Sequence, residues 1–351
     1  MNQIEIGDRF IGSGSPVFII AEIGINHQGD KEIAKDLIRS AKDSGADAVK
    51  FQKRSIERIL TSEGMKMPYE NSNSFGKTYG EHKEALELSA ESYYEIKDFA
   101  DSIDILFSAS GWDEESVDFL DALGIPFFKV ASADLTNFPL IKHTAKKGRP
   151  VMISTGMADM DIVSDAIEII SEINDSIMIM QCTSTYPSRY SELNLNVINT
   201  YRSMFPKYPI GYSGHELGIA VPVAAVALGA KIIEKHFTLD RTMRGGDHAA
   251  SLEPHGFSKM VRDIRNIERS MGDSVKKIQD SERPIIKKLG KSIVSAQDIR
   301  SGSVISSDMI TVKGPGTGVS PMDIEKVIGN TASRDINADT VIKKEDMVDF
   351  S

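Results

Sequence analysis

Short runs of aliphatic and β-branched residues recur along the chain. Each is followed by a longer stretch in which apolar residues return every three or four positions. Val17–Ala21 is the first such run, and a Lys- and Ala-rich amphipathic stretch from about Lys31 to Ser44 follows it. Ala48–Phe51, Ile103–Ser108, Pro126–Val130, Pro150–Ser154, Ile177–Gln181, Pro209–Tyr212 and Lys231–His236 bring the set to eight. Between them lie segments with helical spacing, among them Ser89–Ala100, Glu114–Leu123, Asp161–Ile173 and Ile219–Leu228. Strand then helix, repeated eight times, implies a parallel sheet. Eight such units close by default into a (β/α)8 TIM barrel. The punctuation agrees: Asp30 stands before the first helix, and Gly45, Gly124, Gly148 and Gly229 each follow a helical stretch as C-caps.

One connection breaks the rhythm. About 40 residues separate the second strand from the Ser89 helix, including Gly76-Lys77-Thr78-Tyr79-Gly80-Glu81-His82. Loops of that length are functional or disordered, and one that follows a barrel strand belongs to the active-site face. After about residue 270 the pattern changes to a charged stretch, Val275–Pro284. Short strands and turns follow, at Ser292–Val294, Ser303–Ile305 and Met309–Val312, with a turn at Gly314-Pro315-Gly316-Thr317-Gly318. The reading is therefore an α/β barrel domain over 1–280 and a small β-rich domain over 281–351.

Composition narrows the function classes. The net charge of −10 over 351 residues argues against a nucleic-acid partner. An anionic substrate would need a locally basic pocket. No apolar run approaches the roughly 20 residues of a membrane helix, and the polar N-terminus has no signal-peptide pattern. The single cysteine, Cys182, excludes an intramolecular disulfide and a cysteine zinc site, and fits a reducing cytoplasm.

Barrel enzymes draw their sites from the C-terminal ends of the strands, and here those ends are polar. Glu22, Lys50, Gln52, Lys129, Ser132, Asp134, Ser154, Ser184, Tyr186, Ser213, Glu234 and the histidines His215 and His236 all stand there, and Asp247 lies in the loop after the eighth strand. A lysine inside an apolar strand must meet an anion. It either pairs with a carboxylate such as Glu22 or Glu234, or it holds a ligand. Lys50 and Lys129, with the three serines Ser132, Ser154 and Ser213, complement a phosphate and a carboxylate. His215 and His236, at adjacent strand ends, suit a divalent ion with open positions, against the alternative of two hydrogen-bonded core histidines. His27, His82 and His248 are loop residues placed near the mouth. Cys182 reads as a buried thiol. For Asp247, a solvated loop acid and a substrate contact both stay open.

These blocks together resemble the sialic acid synthase family over essentially the whole chain. The resemblance is carried by Ala21-Glu22-Ile23-Gly24-Ile25-Asn26-His27, Val49-Lys50-Phe51-Gln52, Phe127-Phe128-Lys129-Val130-Ala131-Ser132 and Ile153-Ser154-Thr155-Gly156-Met157. Gln181-Cys182-Thr183-Ser184-Thr185-Tyr186-Pro187, Gly211-Tyr212-Ser213-Gly214-His215 and Glu234-Lys235-His236 continue it. The tail resembles the antifreeze-like domain of the same proteins. The resemblance implies condensation of phosphoenolpyruvate with an N-acyl amino sugar, with C–O cleavage and release of phosphate. It implies Mn2+, or else Mg2+ or Co2+, on His215 and His236. Lys50, Lys129, Ser132, Ser154 and Ser213 would hold phosphoenolpyruvate, and Glu22, Gln52, Asp134, Ser184, Tyr186 and Asp247 would face the sugar. Catalytic roles fall to Glu22, Lys50 and Lys129. A domain-swapped homodimer is also implied.

At Gly314, Ser184 and Asp134, and in the loop Gly76–Glu84, the chain is closer to the animal-type members. Those take N-acetylmannosamine 6-phosphate and release a 9-phosphate. Lys77, His82, Lys83 and Arg244 are then candidate phosphate contacts. A legionaminic or pseudaminic acid synthase acting on a 2,4-diacetamido sugar remains open. So do a non-catalytic carbohydrate-binding or coat-assembly protein, and an aldolase using Lys129 as a Schiff-base amine.

Overall fold

Eight parallel strands close into a barrel in the computed structural model, which describes residues 2–350. In chain order they are Phe18–Gly24 (β1), Ala48–Lys53 (β2), Leu106–Gly111 (β3), Phe128–Val130 (β4), Val151–Ser154 (β5), Ile177–Cys182 (β6), Ile210–Gly214 (β7) and Ile232–His236 (β8). Each pairs with the next, and β8 returns to β1 with His236 opposite Glu22. The helices between them start on side-chain caps. Asp30 accepts from the amides of Glu32 and Ile33, and Ser89, Asp113 and Asp159 do the same for the helices Ala90–Ser102, Glu114–Leu123 and Met160–Ser171.

Two strand boundaries differ from the sequence reading. Ile103 is the C-cap of the preceding helix and Asp104 takes a left-handed φ of 57°, so β3 starts at Leu106 and runs on to Gly111. The apolar side chain of Ile103 packs on the outer core. β1 extends past Ala21 to Gly24, which puts Glu22 inside the strand rather than after it. The long connection is not structureless either. It folds into short helices at Ile56–Ile59, Ser62–Lys66 and Tyr79–Ala85, the last with a reciprocal Thr78–Glu81 capping box.

Strand alternation divides the core in two. Ile19, Ala21, Val49, Phe51, Phe107, Val130, Ile153, Ile179 and Ile233 point outward and pack under the helices. Phe18, Ile20, Ala48, Phe127, Met152, Met178, Met180 and Ile232 point inward and fill the barrel floor. A hairpin of Ile4–Ile6 with Arg9–Ile11 packs Ile4, Ile6 and Ile11 on that floor. Its three-residue strands were too short for the hydrophobic pattern to announce. Because alternate residues share a face, the inward positions one step beyond the floor are Glu22, Lys50, Lys129, Ser154, Cys182, Ser213 and Glu234. The interior therefore changes from apolar to polar within a single residue pair.

The chain forms two compact units, Met1–Gly272 and Asp273–Ser351. In the second, Ser292–Ser295 pairs antiparallel with Ile310–Lys313 around a core of Ile293, Ile299, Ile305, Val319, Val327 and Ile342. Ser303–Ile305, expected as a strand, contributes only a single bridge from Val304 to Thr331. Among the described residues, no helix is long and apolar enough to cross a membrane.

Candidate active site

A cavity of about 190 Å3 opens above the apolar floor. Its base is a four-member charge network. Lys50 Nζ lies 2.5 Å from Glu22 Oε2 and donates to Ser110 Oγ at 3.2 Å. Lys129 Nζ donates to both oxygens of Glu234 at 2.9 Å, and Ser213 Oγ donates to Glu234 Oε1 at 2.9 Å. A distance of 3.8 Å from Lys50 to Glu234 joins the two pairs. All four charged side chains are buried. Each lysine thus pairs with a carboxylate and faces the cavity at once.

The carboxylates are not equivalent. Burial pushes Glu22 up to about 7, against the pull of Lys50 and with the push of Glu234. Burial also works to raise Glu234, but Lys129, Lys50 and Ser213 outweigh it and hold it at about 2. Burial depresses Lys129, while Glu22 and Glu234 outweigh burial to raise Lys50. Glu234 is therefore the carboxylate held ionised by the lysines, and Glu22 the one that burial makes easier to protonate. Two buried lysines facing a cavity of an acidic protein offer the cations an anionic ligand requires.

Hydroxyls line the wall beside Lys129. Ser132 Oγ accepts from the Gly156 amide at 3.1 Å, and the buried Ser154 hydroxyl has no partner. Gly156 permits this crowding, since a Cβ there would lie 2.1 Å from Ser184 Oγ and 2.8 Å from Ser132 Oγ. Gly156→Ala is expected to displace both serines and raise KM for the anionic substrate on the order of 10- to 100-fold, with far-UV circular dichroism unchanged. A KM within twofold of the parent would show that these hydroxyls do not hold it.

On the opposite wall the His215 and His236 rings stand 5.3 Å apart, and Tyr186 lies 4.1 Å from His215 and 5.7 Å from His236. His215 Nδ1 meets the Thr183 carbonyl at 2.8 Å, which assigns the proton to Nδ1 and leaves Nε2 as an acceptor. His236 Nδ1 is buried without a hydrogen bond, 3.6 Å from Asp247 Oδ2. Burial first, with His215 and Lys50, lowers His236 to about 4, so the ring is neutral near pH 7. Among the described residues, no three imidazole, thiol or carboxylate groups form a metal-ligating set. Against the effect of burial, Cys182 and the Thr183 carbonyl raise the His215 pKa. The two imidazoles, one of them with an unpartnered buried nitrogen, fit an ion that takes its remaining ligands from substrate and water. Cys182 is buried as expected, yet its sulfur lines the cavity, 3.9 Å from His215 Nδ1.

Glu22, Lys50, Gln52, Lys129, Ser132, Ser154, Ser184, Tyr186, Ser213, His215 and His236 all line this one cavity. Asp247 joins at the rim. A Cβ on Gly24, whose φ is +55°, would sit 3.2 Å from Glu22 Oε1 and 3.3 Å from both Asp247 Oδ2 and Gln52 Nε2. Asp134 instead lines a neighbouring cavity. There burial raises its pKa, and Oδ2 lacks a partner. His27, His82 and His248, placed near the mouth from sequence, are buried instead. His27 packs on Phe51 and His82 on Tyr69, and His248 Nδ1 meets Thr238 Oγ1 at 2.7 Å. Ser110 and Trp112 also line the cavity. The apolar run Ile103–Ser108 stops short of them, because Ile103 belongs to a helix end and β3 runs on to Gly111.

Among known proteins, the NeuB family model matches residues 37–276, and the SAF domain model matches 290–348. N-acetylneuraminate-9-phosphate synthase of Homo sapiens is 47% identical over 338 residues, covering 96% of this chain and 94% of that protein. N,N'-diacetyllegionaminic acid synthase of Legionella pneumophila is 40% identical, covering 94% of each. The crystal structure of N-acetylneuraminic acid (sialic acid) synthetase from Leptospira borgpetersenii with citrate superposes with a TM-score of 0.72 at 33% identity, covering 81% of this chain and 95% of that one.

Proposed function

The chain belongs to the NeuB family, and we propose that it condenses phosphoenolpyruvate with N-acetylmannosamine or its 6-phosphate, giving N-acetylneuraminate or its 9-phosphate and inorganic phosphate. The observation that carries this reading is the buried Lys50–Glu22 and Lys129–Glu234 network, whose two lysines face one cavity together with Ser132, Ser154 and Ser213, a donor set that suits a small anion.

In the reaction, C3 of phosphoenolpyruvate forms a bond to the aldehyde carbon of the open-chain sugar as the carbonyl electron pair moves onto oxygen, which takes up a proton to become the product hydroxyl, and positive charge develops at C2. Water adds at C2, the bond from C2 to the bridging oxygen breaks, and phosphate leaves with that oxygen and the proton of the new C2 hydroxyl. Lys50 and Lys129 hold the carboxylate and phosphate in line, and the cost of burying them is already met by Glu22 and Glu234. Glu22 takes the proton from the incoming water, and its pKa near 7 suits that transfer. Gln52, Tyr186 and Asp247 orient the sugar at the rim. His215 and His236 would hold a divalent ion, Mn2+ first among the candidates, which supplies Lewis-acid polarisation of the sugar carbonyl when bound.

A domain-swapped homodimer, as the resemblance implies, and cytoplasmic residence, in keeping with one buried thiol, complete the proposal. The likeness to legionaminic acid synthases supports a 2,4-diacetamido sugar as the second reading, with the same barrel chemistry.

Phosphate release from phosphoenolpyruvate with Mn2+ tests the reading. Release is expected only when an amino sugar is supplied, and a chelator should abolish it. Silence with N-acetylmannosamine, its 6-phosphate and the 2,4-diacetamido sugars would rule the synthase reading out.

A further inference from the structure

A buried ion pair lies directly behind the two imidazoles, on the side of the strands that faces the helices. In β7, Ser213 lines the cavity while Tyr212 packs in the outer core. In β8, Glu234 and His236 line the cavity, so Lys235 between them points outward. Its side chain is 0% exposed, and so is that of Glu216, the residue after His215. Lys235 Nζ donates to Glu216 Oε1 at 3.0 Å and also to the Glu216 backbone carbonyl. The other carboxylate oxygen, Oε2, accepts from the Tyr212 hydroxyl at 2.7 Å. Lys235, Glu216 and Tyr212 all stay out of the cavity lining.

A buried ion pair seldom adds stability over two apolar side chains of similar volume. The outward neighbours of Lys235 along the chain, Ile233 and Phe237, are apolar and packed in the core. Stability alone therefore does not account for a lysine at 235. Its position does. The β7–β8 ladder ends where Lys235 stands opposite Gly214. His215 and His236 are the next residue on each strand. Each is held from its far side. The Thr183 carbonyl meets His215 Nδ1 at 2.8 Å, and the Ser188 amide donates to the His215 carbonyl at 3.1 Å. His236 stands opposite Glu22, and its carbonyl accepts from the Leu252 amide at 2.8 Å. Past the end of the ladder, among the described residues, the hydrogen bonds that span the two strands are those from Lys235 to Glu216.

We propose that Lys235 and Glu216, with Tyr212, are positioning residues that fix the spacing of His215 and His236 and thereby set the affinity for the divalent ion; this rests on reading the imidazole pair as the metal site. An ion with two protein ligands depends on both rings staying in place, and groups behind such ligands tune affinity by holding them. Here the rings stand 5.3 Å apart, and one lysine ties together the backbone that carries them. Because the pair faces outward, it does this without adding charge to the substrate cavity.

Mn2+ titration of the full chain, followed by the electron paramagnetic resonance of free Mn2+, tests this alongside thermal unfolding in chelator. Lys235→Met should raise Kd for Mn2+ on the order of 10- to 100-fold. It should also lower Tm, since Glu216 is left buried with Tyr212 alone. Lys235→Met/Glu216→Leu removes the stranded carboxylate. Its Tm should return most of the way to the parent's, while Kd for Mn2+ stays raised by the same order. KM for phosphoenolpyruvate at saturating Mn2+ should change by no more than about twofold, because Lys50 and Lys129 lie on the inward face. A double variant whose Kd matches the parent's would overturn the proposal and leave the pair to the fold alone. The double variant also decides if Lys235→Met does not fold. His236→Ala is the control for the site. A parent that binds no Mn2+, or that binds it no better than His236→Ala does, would remove the ion from the imidazole pair, and the proposal with it.

Discussion

Glu22→Gln is expected to lose between ~10²- and 10⁴-fold in turnover while folding normally, the span that removal of a positioned general base produces. The amide keeps the size of the carboxylate and can still contact Lys50 and Gln52, but it cannot accept a proton from water. The wild-type kcat should rise with pH through a midpoint near 7, because burial has lifted Glu22 into that range. The variant should lack that limb.

Stability should respond differently. The folded protein holds a proton on Glu22 up to about pH 7, whereas the unfolded chain releases it near 4.5. Between those values the native state binds more protons, so this group's contribution to stability is present below 4.5 and is lost as pH rises through 7. The amide of the Glu22→Gln variant does not ionise and carries no such loss. Lys50 keeps Ser110 at 3.2 Å and Glu234 at 3.8 Å, so Tm at pH 8 should not fall by more than a few degrees. Turnover within twofold of the parent would remove Glu22 from the chemistry.

Lys129→Met is expected to abolish turnover and also to destabilise the barrel by about 3–5 kcal/mol, the usual cost of leaving one member of a buried ion pair without its partner. Glu234 would then keep only Ser213 at 2.9 Å and Lys50 at 3.8 Å, while remaining buried. A second change separates the two effects. In Lys129→Met/Glu234→Leu the stranded carboxylate is gone, and an apolar pair of similar volume takes its place. Most of the lost stability should return, as measured by urea midpoint, while activity stays absent. Recovery of turnover in the double variant would mean that Lys129 serves the fold and not the anion. Retained affinity for phosphoenolpyruvate in Lys129→Met would mean the same.

The catalytic barrel was legible because its information is local. A lysine at the third position of a run such as Ala48–Phe51 must share a face with the residues two before and two after, so period alone turns Lys50 inward with Ala48 and Gln52. The same holds for Lys129 and Ser154. The start of β3 is ambiguous for an equally local reason: Ile103 is apolar for the sake of a helix end, so the apolar run begins before the strand does and ends short of Ser110 and Trp112. The hairpin Ile4–Ile11 is two three-residue strands, shorter than any periodicity can report.

Arg54 shows the deeper limit. In sequence, Lys53-Arg54 is a basic pair at the start of a loop, which ordinarily means solvent. Its burial goes with a contact to Glu87, more than 30 positions later. The small domain is similar. Its core is drawn from isolated bridges such as Ile299 to Ile336, which leave no alternating pattern to read.

In the proposed reaction the bond broken in phosphoenolpyruvate is C2–O, with Lys50 and Lys129 receiving the departing phosphate. Phosphoenolpyruvate labelled with 18O in the bridging position tests it directly, with mass analysis of the released phosphate. Label in the phosphate is the expected result. Unlabelled phosphate, formed at the same rate as product, would mean that the P–O bond breaks instead and would contradict the mechanism.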